Sequence, residues 1–398
     1  MAGRYLAGAL ALVLAIAGCG GGGGGGDSAA TNELTVTVGS GPTSAATNVN
    51  IPYVSVTICR PGSSVCQTID HVLLDTASTG FRVLASVLDS RLADLPRQQT
   101  SGGDDMAACA AFITGYTWGA VRLADVKLSA MKATSLPIQI IADPAVGVVP
   151  SSCANRGADA ITTPQDMFAN GILGVGWFTE DCGQACALAA IPGWYYGCPS
   201  GTCSSAVASL ARQVRNPVAA FDSDNNGVIV EMNAVPASGA RTVSGKLYLG
   251  IGTRTNNALG SPQVFDLDAS GELQTEYGGS TLTAFVDTGS NALYFPDGSI
   301  TTCDSASHAP GFYCPMSTLS LSATMRGATN GTQAAVDFEI ASAESLVVAN
   351  PGNLAYDNIG APLGAFFDWG MPFFYGRRVS IAIEGRSTPG GDGPYIAY

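Results

Sequence analysis

Basic residues are scarce in this chain, with 18 Lys and Arg against 31 Asp and Glu and a formal net charge of −13 over 398 residues. The longest basic run is Arg377-Arg378. A nucleic-acid partner needs a concentrated basic footprint, so none is expected. Histidine is scarcer still: His71 and His308 are the only two and stand far apart. They form no ligand cluster, and no metal or cofactor is expected. Gly-x-Ser-x-Gly and phosphate-loop motifs are missing, which removes two common routes to acyl and phosphoryl chemistry. No apolar run is long enough to span a bilayer; the best, residues 6–16, is too short. Helical periodicity is sparse and confined to residues 84–95 and 206–214, where short helices are expected.

What is present begins with an export signal. Arg4 supplies the charge, residues 6–16 the apolar stretch, and Ala17-Gly18-Cys19 the small residues at its end. The stretch Leu14-Ala15-Ile16-Ala17-Gly18-Cys19 resembles the lipobox of bacterial lipoproteins, which implies cleavage before Cys19 and lipid on its thiol. An ordinary signal peptide with a chance cysteine is the alternative. The glycine run at residues 20–26 argues for the lipobox, because such a run cannot pack and behaves as a tether. Gly20 after the cysteine resembles the outer-membrane sorting pattern, so a lipid-anchored protein of the cell envelope is expected.

Eleven cysteines are present. Reserving Cys19 for lipid leaves an even number, which fits disulfides in an oxidising compartment. Cys59 and Cys66 bracket a turn, Cys303 and Cys314 bracket a Pro- and Gly-containing loop, and Cys109 with Cys153 is the residual pair. Cys182, Cys186, Cys198 and Cys203 crowd one insertion, whose connectivity the spacing leaves open. Four thiols so close also suit tetrahedral zinc. The Pro and Gly residues around them favour a stapled loop instead.

Short β-branched or alternating runs separated by Gly, Pro, Asn and Asp dominate the remainder and predict a mainly β protein. Its length exceeds what one core usually serves. The expected division is 1–18 signal, 19–49 tether and disordered linker, 50–216 first lobe with the cysteine-rich insertion, and 217–398 second lobe. Asp222-Ser223-Asp224-Asn225-Asn226-Gly227 and Asp266-Leu267-Asp268-Ala269-Ser270-Gly271 mimic the start of a calcium loop. Both lack the closing Glu and sit between strand-like runs, so they are expected to be hairpin turns.

The organising feature is a repeat. His71-Val72-Leu73-Leu74-Asp75-Thr76-Ala77-Ser78 and Thr283-Ala284-Phe285-Val286-Asp287-Thr288-Gly289-Ser290 each place Asp-Thr-small-Ser after an apolar strand. If the loops meet, Asp75 and Asp287 cannot both ionise cheaply and share a proton. The ionised member takes a proton from a water held between them, while the protonated one donates to a scissile carbonyl. Ser78 and Ser290 are placed to bond the outer carboxylate oxygens. Thr76 and Thr288 are placed to bond across to the facing loop.

With these motifs the chain resembles the pepsin-like aspartic proteases, and in particular a family of bacterial lipoproteins with that fold, over roughly residues 51–386. Three further landmarks carry the resemblance: Phe168-Ala169-Asn170-Gly171-Ile172-Leu173-Gly174-Val175-Gly176, Trp369-Gly370-Met371-Pro372-Phe373-Phe374, and Gly245-Lys246-Leu247-Tyr248-Leu249-Gly250. The resemblance implies a bilobal, pseudo-twofold fold with a cleft between the lobes. It also implies an envelope endopeptidase or processing peptidase acting on peptide or protein substrates, and membrane attachment through the N-terminal lipid. Two departures favour a second reading, a catalytically weak protein that binds peptide or another envelope ligand in the same cleft. Ala77 stands where the family has glycine. In the expected flap, residues 111–121, Phe112 takes the place of the family's tyrosine and Arg82 that of the tryptophan it bonds, leaving Tyr116 or Trp118 as substitutes.

Overall fold

The computed structural model describes residues 32–42 and 48–398. The expected signal, Cys19 and the glycine run lie outside the described residues. Alternation builds the strands. In Pro52–Cys59, Val54, Val56 and Ile58 turn inward while Ser55 faces solvent. In Cys66–Asp75, Val72 and Leu74 enter the core, leaving Leu73 on the opposite face. Ser280–Val286 repeats that parity, with Leu282, Ala284 and Val286 buried. Each of these valine, leucine and isoleucine side chains contributes roughly 1.5–3 kcal/mol by leaving water.

Among the described residues the strands form a 15-stranded sheet, a seven-stranded sheet and one small two-stranded ribbon. Cys66–Asp75 lies in the first sheet and Ser280–Val286 in the second. The second is lined by aromatic rings, with Phe367 stacked on Trp369 at 4.2 Å and on Phe295 at 5.2 Å. Thus the two repeat loops leave from two separate curved sheets.

One strand comes from the segment expected to be linker. Glu33–Val38 pairs antiparallel along its whole length with Val243–Leu249 and, at Thr37 and Val38, with Pro52–Cys59. It is a strand because Val36 and Val38 alternate into the core, and because Lys246 pairs with Glu33 at 2.7 Å. The disordered linker of the sequence reading therefore does not extend through residues 33–38.

The two expected helices are also corrected. Residues 84–95 hold only the 3₁₀ turns Ala85–Val87 and Ser90–Leu92, and 206–214 only Leu210–Arg212. Remote partners claim the backbone groups a helix would need. The Gln67 side chain binds both the Val87 carbonyl and the Asp89 N–H. The amides of Ala206 and Ala208 donate to Tyr195 and Cys186 carbonyls, and that of Val214 to the Tyr195 hydroxyl.

Five disulfides form: Cys59–Cys66, Cys109–Cys153, Cys182–Cys186, Cys198–Cys203 and Cys303–Cys314. The four clustered cysteines are thereby spent in two short staples. Both calcium-like segments are turns whose carboxylates serve the protein. Asp224 accepts from Arg254 at 2.7 Å, and Asp266 from the Thr329 and Asn330 amides.

Candidate active site

Each repeat aspartate sits at the end of a strand that pairs in parallel with a partner ending in glycine. Leu73, Leu74 and Asp75 face Ile172, Leu173 and Gly174; Phe285 and Val286 face Asp368 and Trp369, which precede Gly370. The glycines are there for room. A methyl on Gly174 would stand 2.7 Å from the Thr79 nitrogen, and one on Gly370 2.1 Å from the Ala292 carbonyl oxygen. Each partner segment thus passes tightly beneath its Asp loop.

The loops then interlock through their threonines. The Thr76 amide donates to Thr288 Oγ1 at 3.1 Å and the Thr288 amide to Thr76 Oγ1 at 3.0 Å. The hydroxyls donate onward, Thr76 to the Val286 carbonyl at 3.1 Å and Thr288 to the Leu74 carbonyl at 2.6 Å. Both threonines are fully buried, so all four bonds form in a low-dielectric setting where an unmade one is expensive.

This brace sets Asp75 and Asp287 side by side: a methyl on Gly289 would stand 3.0 Å from Asp287 Oδ1 and 3.1 Å from the Asp75 carboxyl carbon. Oδ1 of Asp75 accepts from the Ala77 amide at 2.9 Å and the Ser78 amide at 3.1 Å, and Oδ2 from the Ser78 hydroxyl at 2.5 Å. Asp287 repeats the plan, with Gly289 N–H on Oδ1 at 2.6 Å and the Ser290 hydroxyl on Oδ2 at 2.8 Å. Burial above all, then the negative charge of Asp75, pushes the Asp287 carboxyl up to about 8, against the pull of the Ser290 and Gly289 donors. Ala77 does not disturb the loop: its backbone has no positive φ and its amide still reaches Asp75.

Above the aspartates lies a cleft of about 270 Å³. Asp75, Asp287, Gly289 and Ser290 form its polar floor, and Leu73, Ile161, Met167 and Ile172 one apolar wall. The hairpin of Met106–Phe112 and Gly115–Leu128 overhangs it, with Phe112, Ile113 and Thr114 at the tip.

Phe112 therefore occupies the flap position read from the sequence, but Tyr116 and Trp118 do not substitute for the missing hydroxyl. They pair with Ala111 and Cys109 across the hairpin and share those residues' face, opposite to that of Phe112. Both pack against the Cys109–Cys153 disulfide, and the Trp118 indole donates to the Gly147 carbonyl at 3.1 Å. Arg82 does different work from a tryptophan. It donates to Gln139 Oε1 at 2.9 Å and to Asp181 Oδ2 at 2.7 Å, with the Arg82 and Asp181 side chains 3% and 5% exposed. Gln139 in turn accepts from Thr117 and donates to the Ala108 carbonyl, both in the hairpin. The Tyr195 hydroxyl also donates to Asp181. Tyr195–Gly197, from the cysteine-rich insertion, adds a strand to the outer edge of Met106–Phe112. The insertion thus braces the hairpin, and none of residues 182–203 lines the cleft.

Residues 28–398 match the family described as Protein of unknown function (DUF3443). The chain belongs to this family. No curated protein matches it. Among solved structures it is similar to the crystal structure of an aspartic proteinase from Irpex lacteus, at 15% identity and a TM-score of 0.50, over 92% of this chain and 96% of that one. The likeness establishes the fold of this DUF3443 chain: mainly β, bilobal and pepsin-like.

One site residue escaped the sequence reading. Asp368, two positions before Gly370, is fully buried, and neither carboxyl oxygen has a hydrogen-bond partner among the described residues. Burial, then the charge of Asp287, hold it well above the usual carboxylate range, against the pull of the Ser290 hydroxyl. The signal lay in aligning Gly171-Ile172-Leu173-Gly174 with Phe367-Asp368-Trp369-Gly370, which sets an acid opposite an isoleucine.

Proposed function

We propose that this chain is an aspartic-type endopeptidase or processing peptidase of the cell envelope. The observation that carries the reading is the threonine interlock, which sets Asp75 and Asp287 side by side on the floor of one cleft, each with a serine hydroxyl on its outer oxygen. A water between them loses a proton to ionised Asp75 as its oxygen attacks the scissile carbonyl carbon. Protonated Asp287 gives its proton to the carbonyl oxygen, leaving a neutral gem-diol. Collapse returns a diol proton to Asp287; Asp75 delivers its proton to the departing nitrogen, and the C–N bond breaks. No covalent intermediate forms. The apolar wall of Leu73, Ile161, Met167 and Ile172 favours substrates with an apolar side chain beside the cut bond. Five disulfides support an oxidising compartment, where a lipid on Cys19 would tether the enzyme to a membrane.

The missing flap hydroxyl at Phe112 favours the second reading, peptide binding without turnover. One assay separates them. The full chain is incubated at acid pH with a mixed peptide library, beside Asp75→Asn and Asp287→Asn. Cleavage by the native chain alone supports the peptidase; capture of peptides without cleavage supports the binder, and cleavage by either variant rules out the dyad.

A further inference from the structure

The two halves of the site differ at one matched position. Ile172 faces Leu73 in one sheet and Asp368 faces Phe285 in the other, and Leu73 and Phe285 each stand two residues before a dyad aspartate. On their other sides Ile172 lies opposite Arg82 and Asp368 opposite Tyr294. Where an isoleucine suffices for packing, the second half buries a carboxyl that has no hydrogen-bond partner among the described residues, a placement that costs stability for as long as no partner is found. The titratable groups that act on it are Asp287 and Asp75, from the two loops, and Tyr294, from the neighbouring strand. No basic side chain is among them.

The chemistry of the cluster assigns directions. The Ser290 hydroxyl commits its proton to Asp287 Oδ2 at 2.8 Å, so toward Asp368 it presents a lone pair. A fully buried acid beside the single negative charge of the dyad, with no cation to offset it, keeps its proton and is a donor. Turned toward the Ser290 hydroxyl, which already acts on its carboxyl, Asp368 would complete the series Asp368 O–H to Ser290 Oγ, and Ser290 O–H to Asp287 Oδ2. Hydrogen bonds in series polarise one another, which strengthens the last of them. With Oδ2 held as an acceptor, the proton of Asp287 is left on Oδ1.

Resting on the peptidase reading, we propose that Asp368 is a positioning residue of the dyad: acting through the Ser290 hydroxyl, it keeps the outer oxygen of Asp287 an acceptor and places the shared proton on the inner one. It touches no substrate. The first half has no such device, because Ile172 cannot donate, so the two aspartates are unequal before any substrate arrives.

The test is an infrared difference titration of buried protonated carboxyls in the full chain, read without substrate, so that it stands even if the chain cleaves nothing. Asp368→Asn should remove one band that persists at neutral pH and leave the Asp287 midpoint where it was, because the amide N–H still donates to Ser290. Asp368→Ile, copying Ile172, should raise the Asp287 midpoint by ~0.5–1 unit. In a Ser290→Ala background the same substitution should add no such shift. If peptides are cleaved, kcat should fall roughly tenfold in Asp368→Ile with KM little changed, and recover in Asp368→Asn. An Asp287 midpoint that stays put in Asp368→Ile, or falls in both variants as the loss of a negative charge would make it, overturns the proposal.

Discussion

Thr76 and Thr288 each accept the other's backbone N–H, at 3.0 and 3.1 Å respectively, and by doing so they join two sheets at the point where two acids meet. Valine matches threonine in shape but leaves buried amides unpaired. Thr76→Val and Thr288→Val should each destabilise by about 1–3 kcal/mol in denaturant unfolding. Each should also lower peptide turnover by at least roughly tenfold, because the aspartates lose their mutual orientation. A variant with native turnover would show that the brace is dispensable.

The methyl of Ala77 is expected to be neutral for chemistry. Its amide donates to Asp75 and its φ is ordinary, so Ala77→Gly gains no geometry and loses backbone restraint. A loss of about 0.5–1 kcal/mol in stability is expected, with the pH dependence of activity unmoved. A large gain in turnover would mean that the methyl displaces the loop after all.

Arg82 and Asp181 form a buried pair at 2.7 Å that also anchors the flap hairpin through Gln139. Removing one partner strands the other, so Arg82→Met or Asp181→Ala should destabilise by roughly 3–5 kcal/mol. Because the hairpin loses its brace, its amides should exchange hydrogen faster than those of Ser280–Val286. Uniform acceleration across both would argue that the pair stabilises the whole molecule without a special tie to the hairpin.

These effects mark how much was legible beforehand. The Asp-Thr-x-Ser loops, the strands before them and the position of Phe112 follow from local pattern: apolar alternation, then a tetrapeptide whose donors serve one carboxylate. What failed needed information from elsewhere in the chain. Tyr116 and Trp118 were plausible flap hydroxyl or indole donors until the hairpin register set them on the far face. Residues 206–214 carry helical spacing, yet their amides are taken by Tyr195 and Cys186, residues whose proximity only the fold creates. Leu34, Val36 and Val38 are too few to announce a strand until Val243–Leu249 pairs with them. Asp368 was concealed inside a landmark recognised for its glycine, and its meaning appears only when its strand is laid against Phe285.

The raised Asp287 carboxyl carries a stability consequence. Its ordinary value is about 3.9 and its folded value about 8. Between those values the folded state binds the extra proton, so stability falls as pH rises through that window and then levels. Asp287→Asn, which never ionises, should remove this component of the fall and melt higher than the native protein above pH 8. Native and Asn-variant melting temperatures that run parallel from pH 4 to 8, with no gap opening in favour of the variant, would show Asp287 to be ionised in the folded protein across that range.

The most direct measurement is a neutron diffraction map of the deuterated protein at a pH well below 8. A single deuteron on Asp287 Oδ1, a bare Asp75 and one water spanning them is the predicted result. Carboxyl groups more than about 6 Å apart, or both carrying or both lacking a deuteron, would contradict the shared-proton dyad on which the account rests.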